Sequence, residues 1–236
     1  MQNDERISVI IPAYNESDSI WELVHYLEDA GSERIEEILV VDGGSTDGTA
    51  EVAKEAGARV IHSPRKGRAA QMNSGAAVAK GGILYFLHAD TRPPRQFDRL
   101  ILSELEKGTA AGCFRLRFDD PHPLLRWYSV FTRLKTVLVR FGDQSLFVRK
   151  KLFLNIGGFR EELLVMEDQE VIRRIKKEGR FSVLKESVIT SARTYRENGY
   201  VWLQLLFTAI WAGYYLGIPQ DRLVQFYRKM IQAGKT

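Results

Sequence analysis

Ile38-Leu39-Val40-Val41-Asp42-Gly43-Gly44-Ser45-Thr46-Asp47-Gly48-Thr49 carries four large apolar residues straight into an acid, two glycines and a group of helix-starting residues. An apolar run without polar alternation reads as a parallel strand covered on both faces. Asp42 then falls at the strand's C-terminal end, the place where open α/β sheets bind ligands. Ser45, Thr46 and Asp47 are each suited to cap a following helix over Gly48 to Glu55. The stretch predicts a crevice whose mouth holds one carboxylate beside bare glycine backbone.

The same alternation continues on both sides of it. Ile7 to Pro12 is a β-branched run that ends in Ala13-Tyr14-Asn15-Glu16. Ser17 or Asp18 then opens a helix whose Ile20, Leu23, Val24 and Leu27 share one face, and Gly31 ends it. Ala58 to His62 reads as a third strand, Arg68 to Lys80 as an alanine-rich helix, and Ile83 to Leu87 as a fourth strand opening into His88-Ala89-Asp90-Thr91. This order predicts an α/β fold with a doubly wound, mainly parallel sheet. Beyond Pro93-Pro94 the pattern loosens. A helix is expected over Gln96 to Lys107, strands over Ala111 to Phe118 and Gln144 to Val148, and a helix within Val165 to Glu178.

At 236 residues, with 44% hydrophobic and 27% charged residues, the chain has the composition of an ordinary globular protein. Neither repeats nor low-complexity linkers divide it. It reads as one domain over 1–196, with a nucleotide-binding half (1–95) and an acceptor half (96–196), followed by an apolar helical extension over 197–236. The net charge of +4 comes from 34 basic and 30 acidic residues, which gives no nucleic-acid-binding signature. The single cysteine, Cys113, excludes an internal disulfide and fits a reducing, cytoplasmic setting. Met1 to Arg6 is too polar and too short for a signal peptide.

Three constellations at strand ends carry chemistry. Pro12-Ala13-Tyr14-Asn15-Glu16 offers an aromatic ring, an amide and a carboxylate, although a capping loop would also use them. His88-Ala89-Asp90 places an acid where a hard divalent cation could bridge phosphates. Adjacent Glu167 and Asp168 open a helix, which the helix dipole alone would favour. They point about 100° apart, so only one of them can face the crevice. Lys66, Arg68 and Arg193 are cations able to meet phosphates.

Taken together, Val9–Glu16, Val40–Thr49, Lys66–Gly75, Phe86–Thr91, Gly157-Gly158-Phe159 and Glu167-Asp168 resemble, in order and spacing, the family 2 glycosyltransferases with the GT-A fold. The resemblance covers about Ile7 to Arg196. Gly142-Asp143-Gln144 and Ser191-Ala192-Arg193 are similar to a small bacterial subgroup associated with radical-SAM and selenium-related genes. The resemblance implies a nucleotide-diphosphate-sugar donor, with UDP as the default, an unknown acceptor hydroxyl and a Mn²⁺ or Mg²⁺ cofactor. Pro12, Ala13, Tyr14, Glu16, Asp42, Lys66, Arg68, Ala89 and Arg193 would line the donor site. Asp90, with His88, would hold the metal. Asp168 would deprotonate the acceptor in an inverting displacement, and Asp143, Gln144, Gly157, Gly158 and Glu167 would lie on the acceptor side. Two departures stand out. Gly43 replaces the second acid of the family's Asp-Asp-Gly-Ser, and His88 replaces the first acid of Asp-x-Asp.

The segment Leu124 to Lys135 mixes large apolar groups with cations, a composition suited to an interfacial helix on an anionic bilayer. Asn198 to Gln220 lacks any charge. It is diluted by Gln204, Gly213 and Gly217, so a helical pair packed on the domain, on a second subunit or on lipid is expected rather than a membrane span. These segments suggest a lipid-linked or membrane-proximal acceptor, peripheral association at the inner face of the membrane, and a possible homodimer. The competing reading is a non-catalytic nucleotide-sugar sensor on the same fold. A dinucleotide-dependent oxidoreductase is excluded because no G-x-G-x-x-G follows the first strand.

Overall fold

The structure, a computed structural model, describes residues 5–134, 136–140 and 142–231. Residues 1–4 of the polar N-terminal stretch, Lys135 and Phe141 of the apolar-basic segment, and the last five residues of the expected extension lie outside the described residues.

Eight strands form one sheet in the order β3-β2-β1-β4-β7-β6-β8-β5. The first four are β1 (Ile7–Ala13), β2 (Ile35–Asp42), β3 (Arg59–His62) and β4 (Ile83–Phe86), all mutually parallel. Their side chains alternate between two cores. Ile7, Val9 and Ile11 of β1 enter one core with Ile38 and Val40 of β2, whereas Ile10 joins Leu39 and Val41 in the other. The first core is closed by helix α1 (Ser17–Ala30) through Ile20, Leu23, Val24 and Leu27, and by α4 (Phe97–Glu106). The second is closed by α3 (Arg68–Val78) and α7 (Glu167–Glu178). Helices on both faces explain why these strands read as unbroken apolar runs, each fully buried Val, Ile or Leu contributing about 1.5–3 kcal/mol.

The sheet continues through β7 (Leu146–Arg149), antiparallel to β4 and to β6 (Ala111–Phe118). The expected strand start at Gln144 is displaced. Gly142–Gln144 is a single 3₁₀ turn, and Ser145 at φ 60° bends the chain before β7 begins. Strand β8 (Phe181–Thr190), not anticipated from the sequence, runs parallel to β6 and carries the two-residue β5 (Thr91–Arg92) on its other edge. Two helix starts also differ in detail. Glu16, without a side-chain cap, precedes α1, while Gly48 precedes α2 (Thr49–Glu55).

The segment expected as an interfacial helix is shorter than predicted. Helix α5 (Pro123–Phe131) stops because Thr132 turns inward, donating to the Ser129 carbonyl and accepting the Leu116 amide. The short α6 spans Lys150–Asn155, and the last described helices are α8 (Arg193–Asn198), α9 (Tyr200–Tyr215) and α10 (Gln220–Met230). Leu203, Leu206 and Ile210 of α9 bury with Leu125 of α5 and Tyr195 of α8 in a third core. Among the described residues no helix is long and apolar enough to cross a membrane.

Candidate active site

Parallel pairing sets the crevice. Ala13 stands in register with Asp42, and Asp42 with His62, so the ends of β1, β2 and β3 open on one side. Asp42 is 3% exposed and its carboxylate accepts the amides of Gly44 (3.0 Å) and Ser45 (3.1 Å). His62 lies 3.2 Å from the same group. Burial alone would raise the Asp42 pKa; the bonds from Ser45, Gly44 and His62 outweigh it and hold the carboxyl below its usual range. This acid shapes the turn rather than projecting from it. Glu16 accepts from Ser19 and faces Arg193 at 3.7 Å, while Tyr14 is partly exposed beside it.

Gly43 is bare because another side chain fills its space. A Cβ there would lie 2.9 Å from Nε2 of Gln71. That amide is pinned by donating to the carbonyls of Ala13 (2.7 Å) and Val41 (2.8 Å). The sequence offered one signal for Gln71, a lone amide in the run Ala69-Ala70-Gln71-Met72, on a helix whose other buried positions are apolar.

The charged groups gather around Gly142. A Cβ on that glycine would stand 2.5 Å from Oδ2 of Asp168 and 2.7 Å from Nε2 of His88. His88 reaches Asp143 Oδ1 through Nδ1 at 3.1 Å, and Nη1 of Arg68 lies 3.2 Å from its Nε2. A guanidinium only donates, so in the neutral ring Nε2 accepts and Nδ1–H donates to Asp143. Burial and Arg68 disfavour the imidazolium, but Asp143 and Asp168 outweigh them and raise the His88 pKa. Burial likewise acts upward on Asp143, where His88 and Arg68 prevail and lower it.

Arg68 also pairs with Glu167, Nε to Oε1, at 3.0 Å; the contact is an ion pair whose angle falls short of a hydrogen bond. Glu167 is 2% exposed. Burial, opposed by Arg68 and reinforced by Asp168, pushes its carboxyl up to about 7. The two adjacent acids therefore divide: Glu167 is buried against Arg68, and Asp168 turns toward Gly142 and His88. Asp90 is raised too, first by burial and then by Asp143. Its own carbonyl accepts the Ser191 amide, which brings Arg193 to the crevice.

Other expected site residues serve the frame. Gln144 is buried and donates to the Phe114 carbonyl at 3.3 Å. Gly158, at φ 66°, would drive a Cβ to 2.6 Å from Asn73, whose amide bonds both ways with the Phe159 backbone. Gly157 is the left-handed residue beside it. Pro12 and Ala89 lie with their strand ends, and Lys66 is exposed near the start of α3. Among the described residues no three His, Cys, Asp or Glu side chains gather as a metal site.

The model of glycosyl transferase family 2 matches residues 8–160, more than half of the chain. This chain belongs to that family. Glu167, Asp168 and Arg193 lie beyond the matched residues. The family 2 chain is 28% identical over 174 residues to glycosyltransferase AglE of Haloferax volcanii, covering 67% of itself and 57% of that protein. It is 37% identical over 113 residues to the undecaprenyl-phosphate 4-deoxy-4-formamido-L-arabinose transferase of Pseudomonas fluorescens, covering 43% of itself and 33% of the relative. It thus spans well under two thirds of each. Among solved structures it resembles the mannosyltransferase PcManGT from Pyrobaculum calidifontis in complex with GDP-Man and Mn²⁺, with TM-score 0.69, 20% identity and coverage of 97% and 65%. S. aureus TarS 1–349 in complex with UDP is similar at TM-score 0.66, with 20% identity and coverage of 79% and 60%. At that identity the likeness speaks for the fold.

Proposed function

We propose that this chain transfers a sugar from a nucleotide-diphosphate sugar to an acceptor hydroxyl with inversion at the anomeric carbon. The observation that supports this most is the meeting of Asp168, His88, Asp143 and Arg68 around the bare α-carbon of Gly142. Two acids, an imidazole and a cation converge there next to the strand ends.

In this reading the acceptor oxygen attacks the anomeric carbon while its proton passes to Asp168. The bond from that carbon to the diphosphate oxygen breaks, and the nucleoside diphosphate leaves with the electron pair. The transition state is oxocarbenium-like, so a base on one side and charge neutralisation on the other are the available levers. Arg68, Lys66 and Arg193 supply positive charge on the diphosphate side. Glu167 holds Arg68 in place, and the backbone of Ala13 and Tyr14 flanks the nucleoside.

A hard divalent cation fits the donor set of Asp90 and Asp143, because such ions take one or two protein carboxylates and fill the remaining positions with phosphate oxygens. Asp143 standing near the half-buried Asp90 is a repulsion that a cation would relieve. Asp90 would hold the ion, with His88 Nε2 able to serve either it or Arg68. When bound, Mn²⁺ or Mg²⁺ neutralises charge growing on the departing diphosphate. The neighbours' UDP and GDP-Man leave UDP as the default nucleotide rather than a fixed one. The undecaprenyl-phosphate in the name of the Pseudomonas relative supports a lipid-linked acceptor.

Thermal-shift titration with UDP- and GDP-sugars, with and without Mn²⁺, identifies the donor, since a ligand selective for the folded state raises apparent stability. Asp168→Asn should then lower transfer about 10²–10⁴-fold while nucleotide affinity is kept. Near-normal turnover by that variant would remove the base assignment. Tight nucleotide-sugar binding with neither transfer nor donor hydrolysis in the wild type would favour a sensor.

A further inference from the structure

The transfer chemistry leaves the outer side of α9 unused. This 16-residue helix has no charged residue. Its inner side, Leu203, Leu206, Ile210 and Gly213, is buried. Its outer side presents Val201 (59% exposed), Trp202 (51%) and Leu205 (59%), with Leu216 just past its end (81%). A helix at the surface of a globular protein normally turns polar residues outward, and one that is apolar all round belongs in a core or against lipid. The neighbouring α5, which shares the third core, exposes Trp127 (58%), Val130 and Phe131, and Leu134 follows it.

Charge separates the candidate occupants of this surface. Over 123–134 and 200–230 the chain carries Arg126, Arg133, Arg222, Arg228 and Lys229, all exposed, against Asp221 alone. Nearby Asp119 and Asp120 are already engaged by Arg196. A second copy meeting this face isologously would oppose cations to cations. An anionic lipid surface takes up both features, the apolar rings and chains in its interfacial layer and the cations among its headgroups.

We propose that the outer sides of α5 and α9 form a docking surface for anionic phospholipid, with α9 lying in the plane of the bilayer. The inference deepens the proposed transfer to a lipid-linked acceptor and rests on that reading only for its purpose. Two links tie α9 and the helix that follows it to the reacting groups. Tyr215 at the end of α9 donates to Gln169 of α7 at 2.9 Å, and Gln220 at the start of α10 accepts the amides of Leu164 and Val165 at 3.2 and 3.1 Å. Helix α7 opens with Glu167 and Asp168, so docking would set the acceptor side of the crevice at headgroup level.

The test is co-sedimentation of the whole chain, without nucleotide or acceptor, with vesicles of phosphatidylglycerol mixed into phosphatidylcholine and with vesicles of phosphatidylcholine alone. Binding to the anionic vesicles should be strong, weakened by added salt, and accompanied by a blue shift of tryptophan fluorescence. Trp202→Ser with Leu205→Ser should lower the partition coefficient about tenfold or more. Arg222→Gln with Arg228→Gln should lower it by a similar factor of about ten. These side chains are exposed, so the variants should keep the wild-type melting transition. Failure to bind anionic vesicles overturns the proposal, as does binding that neither pair of substitutions weakens. A wild-type dimer in light scattering that Trp202→Ser with Leu205→Ser renders monomeric would assign the face to a second copy instead. Vesicle binding without any transferase activity would leave the surface standing and remove the transfer reading; activity without vesicle binding would do the reverse.

Discussion

The side-chain amide of Gln71 occupies the space that a side chain at position 43 would require. Its two bonds to the carbonyls of Ala13 and Val41 lock adjacent strands β1 and β2 together just below the turn. Loss of the second acid of the family pattern is thus coupled to a helix residue 28 positions away.

Restoring that acid alone should be costly. Gly43→Asp is expected to lower stability by about 1–3 kcal/mol, the usual range for overpacking a filled site. Gln71→Ala in the same background should return part of that loss, whereas Gln71→Ala alone should destabilise by removing two buried hydrogen bonds and leaving a void between the strands. Urea denaturation of the three variants measures this coupling. Additive effects would show that the two positions do not compete for space.

Gly142 gives a second steric prediction, aimed at activity. A methyl group there would press on Asp168 and His88. Gly142→Ala should reduce kcat about a hundredfold, as misplacement of reacting groups by an ångström does, with nucleotide affinity and Tm little changed. Comparable kcat in the variant and the wild type would mean that Asp168 works from another position.

Asp90 is the group whose loss should separate metal from nucleotide. Isothermal titration of UDP into wild type should show tighter binding with Mn²⁺ present, and Asp90→Ala should reduce that enhancement about tenfold or more. Binding without Mn²⁺ should change little or improve, since a half-buried carboxyl that repels phosphate is removed from a diphosphate site. An enhancement that survives the substitution would remove Asp90 from the metal assignment.

Glu167 makes stability depend on pH. Its carboxyl titrates at about 7 in the fold against an ordinary value of 4.5. Between these values the folded chain holds a proton that the unfolded chain has released, so stability falls as pH rises through that window. The fall attributable to this residue is up to about 3 kcal/mol, the attraction of Arg68 being already contained in that raised value. Glu167→Gln cannot ionise, so its Tm should decline less than that of the wild type from pH 4.5 to 7. Parallel Tm–pH curves would place the effect elsewhere.

The parallel half of the sheet was legible because its strands are buried on both faces, which writes them as apolar runs such as Ile38–Val41, and because Gly and Pro punctuate them. Strand β8 was not, since Lys185-Glu186-Ser187 interrupts it and much of it is only half buried. The candidate acids were visible one by one, but not which of them meet. His88 and Asp143 are 55 positions apart, and their contact depends on the bend at Ser145. Likewise, nothing local in Glu167-Asp168 says which acid faces the crevice; the position of Arg68 decides it. Residue type announced candidates, and tertiary geometry chose among them.

The strand order has a consequence for the chain as it leaves the ribosome. Strand β4 pairs with β1 on one edge as soon as both exist, but its other edge waits for β7. At a synthesis rate of about 5–20 residues per second, the interval from Phe86 to Leu146 lasts roughly 3–12 s. During that time Ile83-Leu84-Tyr85-Phe86, all buried in the finished sheet, present an open apolar edge of the kind that recruits other strands. The nascent chain is therefore most prone to self-association before Asp143, Glu167 and Asp168 have joined Arg68 and His88.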